Sequence, residues 1–106
     1  MFHVAQVSIE LIHLLRPLVE RIRKRDRSLA DQLVRAANSI ALNVAEADHS
    51  QGGNVRSRFH TAAGSASETR MALRVAVAWG YVSVEAAQGS EHHLDRVIAM
   101  LWKLTH

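Results

Sequence analysis

Two rows of polar side chains at helical spacing are the first place to look for chemistry in this chain. Arg35, Ser39, Asn43 and Glu46 follow one another at steps of four, four and three, and Arg58, Thr61, Ser65 and Glu68 at steps of three, four and three. Such steps place each row on one helix face, beside an apolar stripe. A guanidinium, hydroxyls, an amide and a carboxylate on facing helices are the parts of a small polar site of the kind that helical bundles hold between them. The competing role is packing, with the rows satisfying one another across a seam through Arg35–Glu68 or Arg58–Glu46 ion pairs. Packing is favoured, because no nucleophile sits beside an obvious base and no second carboxylate has the spacing for acid–base work. Arg35, Asn43, Glu46, Ser65 and Glu68 are therefore assigned to structure, and the chain is expected to be non-enzymatic, with no catalytic residue.

Metal chemistry finds equally little support. The chain has seven histidines and no cysteine, which removes thiolate sites, disulfides and cysteine nucleophiles. His92 and His93 are adjacent and point to different faces of a helix. His3, His13, His49, His60 and His106 show no four-residue pairing with another His or a carboxylate in a zinc-like arrangement. The expectation is exposed histidines, no metal site and no cofactor.

The strongest electrostatic feature is Arg21-Ile22-Arg23-Lys24-Arg25-Asp26-Arg27. Residues 16 to 35 hold seven basic side chains against three acidic ones, whereas the rest of the chain has six against seven. A solvated helix end, with cations at the negative pole of the dipole, is the plain reading. Attraction to the phosphates of a nucleic acid is the functional one. The candidate nucleic-acid-binding residues are Arg21, Arg23, Lys24, Arg25 and Arg27, touching the backbone with little sequence preference. No aromatic residue is interleaved with them, so stacking of unpaired bases is not expected. A helix-turn-helix signature is also missing.

These residues need elements to hold them, and the apolar periodicity supplies four helices. In the first, Val4, Val7, Leu11, Leu14, Leu18 and Ile22 recur at helical steps, widened by Leu15 and Val19, and the stripe keeps its phase through Pro17. A kinked single helix is expected there rather than two. The second starts at Ser28 as N-cap, buries Leu29, Leu33, Ala36, Ile40, Val44 and Ala47, and stops before the turn-forming stretch Asp48 to Asn54. The third runs from about Val55 to Trp79 and buries Phe59, Ala62, Ala66, Thr69, Leu73 and Ala76, with Ala72, Val75 and Trp79 broadening the face and Gly80 closing the helix. Within it, the small-residue run Ala62-Ala63-Gly64-Ser65-Ala66 suggests that another backbone comes close at Gly64. Ser83 caps the fourth, which turns Ala87, Leu94, Val97, Ile98, Leu101 and Leu104 inward.

Four such segments on short connections imply an all-α fold, an antiparallel up-down-up-down four-helix bundle, in one domain spanning residues 1–106. Hydrophobic residues at 48%, with one Pro and five Gly, fit a globular helical protein. No apolar run reaches the roughly 20 residues that span a bilayer. The N-terminus lacks the pattern of a secretory signal, so a cytoplasmic protein is expected. A single domain of this size hides a modest core, which favours oligomers. Trp79, Tyr81 and Trp102 are candidate interface anchors.

Taken together, Gln32-Leu33-x-Arg35-Ala36-Ala37-x-Ser39-Ile40-x-x-Asn43-x-Ala45-Glu46, then Arg58-Phe59, Ala63-Gly64-Ser65-Ala66-x-Glu68 and Gly80-Tyr81, form a recognisable combination. The chain resembles the small four-helix bundle family of proteins encoded by intervening sequences within bacterial 23S ribosomal RNA genes, to which the accessory variability determinant of diversity-generating retroelements is related. Ala47 stands where the family commonly has Gly, and Val34 where it commonly has a second Arg. The resemblance implies a bundle that assembles as a homo-oligomer, often a pentameric ring, with a basic surface. Its retroelement branch binds a reverse transcriptase and nucleic acid. A nucleic-acid-binding module is the first expectation, and a protein-binding adaptor, such as an accessory subunit of a reverse transcriptase, is the second.

Overall fold

Apolar side chains at three- and four-residue steps, in a chain poor in Gly and Pro, give four helices and little else. The structure, a computed structural model, describes residues 2–48 and 52–106. Helix α1 covers Phe2–Arg25, α2 Arg27–Asp48, α3 Gly53–Ala78 and α4 Val84–Thr105. Packing is cyclic: α1 lies on α2, α2 on α3, α3 on α4, and α4 returns to α1. The resulting antiparallel bundle measures 43 × 23 × 19 Å, its long axis close to the length of the 26-residue α3 at about 1.5 Å per residue.

Helix α1 passes through Pro17 without interruption. Pro17 and His13, whose carbonyl loses its helical donor there, both face solvent, where water can take over the missing bond. Its buried line is Val4, Val7, Leu11, Leu15, Leu18 and Ile22. Leu14, expected in that line, is 41% exposed. At about 100° per residue Leu14 falls just outside one edge of the buried arc, while Ser8 falls inside the other edge and is buried. Ser8 satisfies its hydroxyl on the Val4 carbonyl at 2.7 Å.

A single residue, Asp26, separates α1 from α2. Its N–H still bonds the Ile22 carbonyl at 2.7 Å, and its carbonyl already accepts from Ala30 N–H at 3.1 Å. Its Oδ1 accepts from Leu29 N–H at 3.0 Å, so the cap of α2 is Asp26 and not Ser28. The residue that closes one helix therefore opens the next. The buried line of α2 is the expected one, joined by Ala30 and Ala37. Helix α2 runs on through Asp48 and α3 begins at Gly53, which shortens the expected loop; His49, Ser50 and Gln51 lie outside the described residues.

In α3 the expected residues from Phe59 to Ala76 are buried, but Trp79 is 68% exposed and does not widen the core face. Gly64 is exposed, and a Cβ built on it would meet nothing within 4 Å among the described residues, so no described backbone approaches it. Helix α3 ends at Gly80 with φ 77°, the left-handed conformation that glycine adopts without strain. Gly80 N–H bonds the Val77 carbonyl and Tyr81 N–H the Ala76 carbonyl, each at 2.9 Å, the paired bonds of a Schellman ending. Ser83 caps α4 as expected, its hydroxyl accepting from Ala86 N–H at 3.0 Å. Ala87, Leu94, Val97 and Leu101 are buried, Ile98 is half-buried, and Leu104 turns outward. Ser90, His93 and Thr105 take buried places that the apolar pattern does not reveal.

Candidate nucleic-acid interface

Antiparallel connectivity puts the α1–α2 turn and the α3–α4 turn at the same end of the bundle. The basic side chains Arg21, Arg23, Lys24, Arg25 and Arg27 are all exposed there. Arg23, Lys24 and Arg25 occupy the last turn of α1, where the helix dipole favours cations. Arg23 Nη1 lies 2.6 Å from Asp31 Oδ1, and this hydrogen bond holds the Asp31 carboxyl below its usual range. Among the described residues Arg21, Lys24 and Arg27 enter no ion pair.

Arg25 takes a different partner: its guanidinium carbon sits 5.6 Å from the centroid of the Tyr81 ring. Tyr81 in turn donates its hydroxyl to Asp26 Oδ2 at 3.3 Å. Desolvation, and then the adjacent Asp26 carboxylate, raise the phenol above its ordinary value of 10.0. The Trp79 ring lies 6.5 Å from that of Tyr81 at an interplanar angle of 18°, a stacked arrangement. Aromatic side chains do therefore accompany the basic cluster. They reach it through the fold, from a turn more than fifty residues further along the chain, and do not show in the Arg21–Arg27 stretch itself.

The polar rows on α2 and α3 meet through hydroxyl and amide groups, with one guanidinium, Arg58, among the contacts. Ser65 Oγ donates to Ser39 Oγ at 2.7 Å, and Asn43 Nδ2 donates to the Ser39 carbonyl at 2.9 Å and to its hydroxyl at 3.0 Å. Arg58 turns to Asn43 Oδ1 at 3.4 Å, and Thr61 bonds the Ser57 carbonyl of its own helix at 3.1 Å. No ion pair joins Arg35 to Glu68. Both are exposed and line an open polar groove of about 360 Å³ with Gln32, Ala36, Ser39 and Ser65. Arg35 and Glu68 keep their hydration at the rim, and the hydroxyls of Ser39 and Ser65 fill the seam beside them, which avoids the cost of burying those two charges. The assignment of Ser65 and Asn43 to structure fits this geometry; Arg35 and Glu68 do not close the seam.

Two polar contacts between helices are not foreseen from the sequence. Arg70 on α3 reaches both Glu91 and Asp95 on α4, and Arg74 Nε lies 3.1 Å from Glu91 Oε2. The signal was there in two four-residue pairs of opposite sign, Arg70/Arg74 and Glu91/Asp95. His93, expected on the surface, is buried between α1 and α4, its Nε2 2.9 Å from the Val7 carbonyl and 3.6 Å from Glu10. His92 beside it is exposed, as adjacent helix positions require. Among the described residues no group of three or more His, Asp or Glu side chains is placed to hold a metal ion, and His49 lies outside those residues. No described helix is long and apolar enough to cross a membrane.

Comparison with known proteins adds to this geometry. The family model described as 23S rRNA-intervening sequence protein matches residues 2–103. The bundle is similar to the crystal structure of a Bacteroides thetaiotaomicron protein of unknown function from the S23 ribosomal protein family. The two superpose with a TM-score of 0.88 at 19% sequence identity, over 96% of this chain and 97% of that one. At that identity the likeness speaks for the fold. No curated protein matches the chain.

Proposed function

The chain belongs to the 23S rRNA-intervening sequence protein family, and from that premise we propose that it is a non-enzymatic interaction module that binds nucleic acid through the basic end of its bundle. One observation carries the reading: five cations crowd the α1–α2 turn, and Arg21, Lys24 and Arg27 among them enter no ion pair among the described residues. A surface of that kind lowers its own electrostatic energy by taking up phosphates, which release condensed counterions as they are neutralised. Contacts of this type go to the backbone, so sequence preference is weak. Assembly into a ring, as the family resemblance implies, would repeat the cluster around the particle and strengthen attachment through multivalency. The test is the affinity for a labelled nucleic acid as salt is raised. Steep weakening supports the reading, and affinity indifferent to salt refutes it.

A second reading, an adaptor for a protein partner such as a reverse transcriptase, draws on Leu42 and Met71, which are 65% and 60% exposed on α2 and α3. An adaptor would hold its partner through high salt and release nucleic acid there. Loss of particle mass on Leu42→Ala or Met71→Ala would instead assign these apolar side chains to contacts between copies of this chain.

A further inference from the structure

We propose that the α3–α4 turn is a stacking platform, on which the exposed ring of Trp79 receives an unpaired base of a single strand whose phosphates lie along Arg21–Arg27. The inference rests on the nucleic-acid reading above and narrows its ligand from nucleic acid in general to single strands. Trp79 buries little of its ring within the chain: it is 68% exposed, and it lies beyond the last turn of α3. Its backbone is fixed nonetheless. Trp79 N–H bonds the Val75 carbonyl at 3.0 Å, and the two bonds of the Schellman ending follow directly. Tyr81, aligned with the indole, is held by its hydroxyl on Asp26 and by the Arg25 guanidinium over its ring. The turn backbone and Tyr81 are thus ordered before any ligand arrives, which reduces the entropy lost on binding.

Distance makes one ligand able to use both features. The Arg25 guanidinium and the Trp79 ring are each measured from the Tyr81 centroid, at 5.6 and 6.5 Å, so they are no more than about 12 Å apart. A stacked strand carries one phosphate about every 3.4 Å, so a few consecutive nucleotides span that gap. In a duplex the base faces are covered by their neighbours, and only edges and backbone are offered to a protein. A single strand presents both a base face for the indole and phosphates for the cations, the pairing by which proteins hold unpaired nucleic acid.

The experiment uses the full chain, a 20-nucleotide RNA of mixed sequence, and the same RNA annealed to its complement. Affinities come from fluorescence polarisation for the natural chain, Trp79→Ala and Trp79→Phe. Because Trp79 is exposed, neither substitution removes core packing, and circular dichroism checks that both variants stay helical. The natural chain is expected to prefer the single strand. Trp79→Ala should lose about tenfold of single-strand affinity, within the range of roughly 5- to 150-fold that one stacked base supplies, and change duplex affinity by less than about twofold. Trp79→Phe should recover most of the loss. In a Trp102→Phe background Trp79 is the sole tryptophan, and its fluorescence should be quenched by the single strand and not by the duplex. Equal binding of both forms with Trp79→Ala indistinguishable from the natural chain overturns the platform and leaves the phosphate reading standing. No binding of either form by the natural chain overturns the phosphate reading itself. A change in particle mass on Trp79→Ala would assign the indole to a subunit contact and also overturn the platform.

Discussion

Replacing Arg21, Lys24 and Arg27 together by alanine should flatten the salt dependence of duplex binding by a predictable amount. Each phosphate neutralised on double-stranded DNA contributes about −0.9 to the slope of log affinity against log salt. If all five cations of the cluster engage phosphates, the slope per chain is about −4.5, and affinity falls roughly 500-fold between about 50 and 200 mM salt. Arg23 is already bonded to Asp31 and Arg25 already faces Tyr81. If those contacts withhold both from the ligand, the slope is about −2.7 and the fall roughly 40-fold. In either case the triple variant loses about 2.7 from the slope, because the three residues removed are the ones without an ion-pair partner among the described residues. The assay is polarisation of a labelled 20-base-pair duplex across a salt series, with circular dichroism on the variant. All three side chains are exposed, and alanine is the best helix former, so the fold should survive. A variant slope within about 0.5 of the natural one, with binding intact, would place the interface elsewhere and refute the reasoning. If several subunits engage the same duplex, the loss scales with their number and the sign is unchanged.

Three further outcomes follow from the turn end and the helix surfaces. Asp26→Ala removes the cap of α2 and the acceptor for Tyr81, and the lost cap alone should lower unfolding free energy by about 1–2 kcal/mol in urea titrations. Gly64→Ala should raise stability by about 0.5–1 kcal/mol, since the helix interior is exposed there and a Cβ finds open space; a lower melting point would mean that another copy packs on that spot. The Tyr81 phenol should ionise above the ordinary value of 10.0 in a phenolate absorbance titration. The folded state holds that proton more tightly than the unfolded one, so the stabilisation is complete below that value and is lost as pH rises through the raised one. Asp26→Asn should draw the midpoint down without restoring it fully, because desolvation is the larger cause.

Periodicity was enough for the bundle because burial in a helix is a matter of angle: the expected inward residues of α2 and α3 are buried almost without exception. The misses occur where two neighbouring residues compete for the edge of the buried arc, as Leu14 and Leu15 do, or where a polar residue satisfies itself locally. Ser8 and Thr105 do so by bonding a carbonyl four residues back, which lets them be buried in a helix without a partner elsewhere. The Asp26 cap is harder to read, because a one-residue turn leaves no run of turn formers to mark it. The basic cluster is visible in the sequence, but its aromatic neighbours are not. Trp79 and Tyr81 come to Arg25 and Asp26 through topology, and no local pattern encodes a contact of that separation.

Exposed cations lie along the whole bundle, but they are densest at the α1–α2 turn, where five fall within seven residues. Along the sides and at the far end, most basic residues are already engaged. Arg70 and Arg74 hold Glu91, Arg58 holds Asn43, and Arg56 donates to the Thr105 carbonyl at 2.8 Å, tying the start of α3 to the end of α4. Arg35, Arg96 and Lys103 are exposed but have no second Lys or Arg within four residues of chain. At the α1–α2 turn the balance is reversed. Three carboxylates lie close in sequence to its cations, and each is engaged: Glu20 by Arg16, Asp26 by Leu29 N–H and the Tyr81 hydroxyl, Asp31 by Arg23. Arg21, Lys24 and Arg27 enter no ion pair among the described residues and stay exposed. Their positive potential is directed outward, beside the exposed indole of Trp79. The same short turn sets Asp26 to cap α2 and hold Tyr81, and leaves Arg21, Lys24 and Arg27 outside any ion pair among the described residues, where a phosphate would meet them.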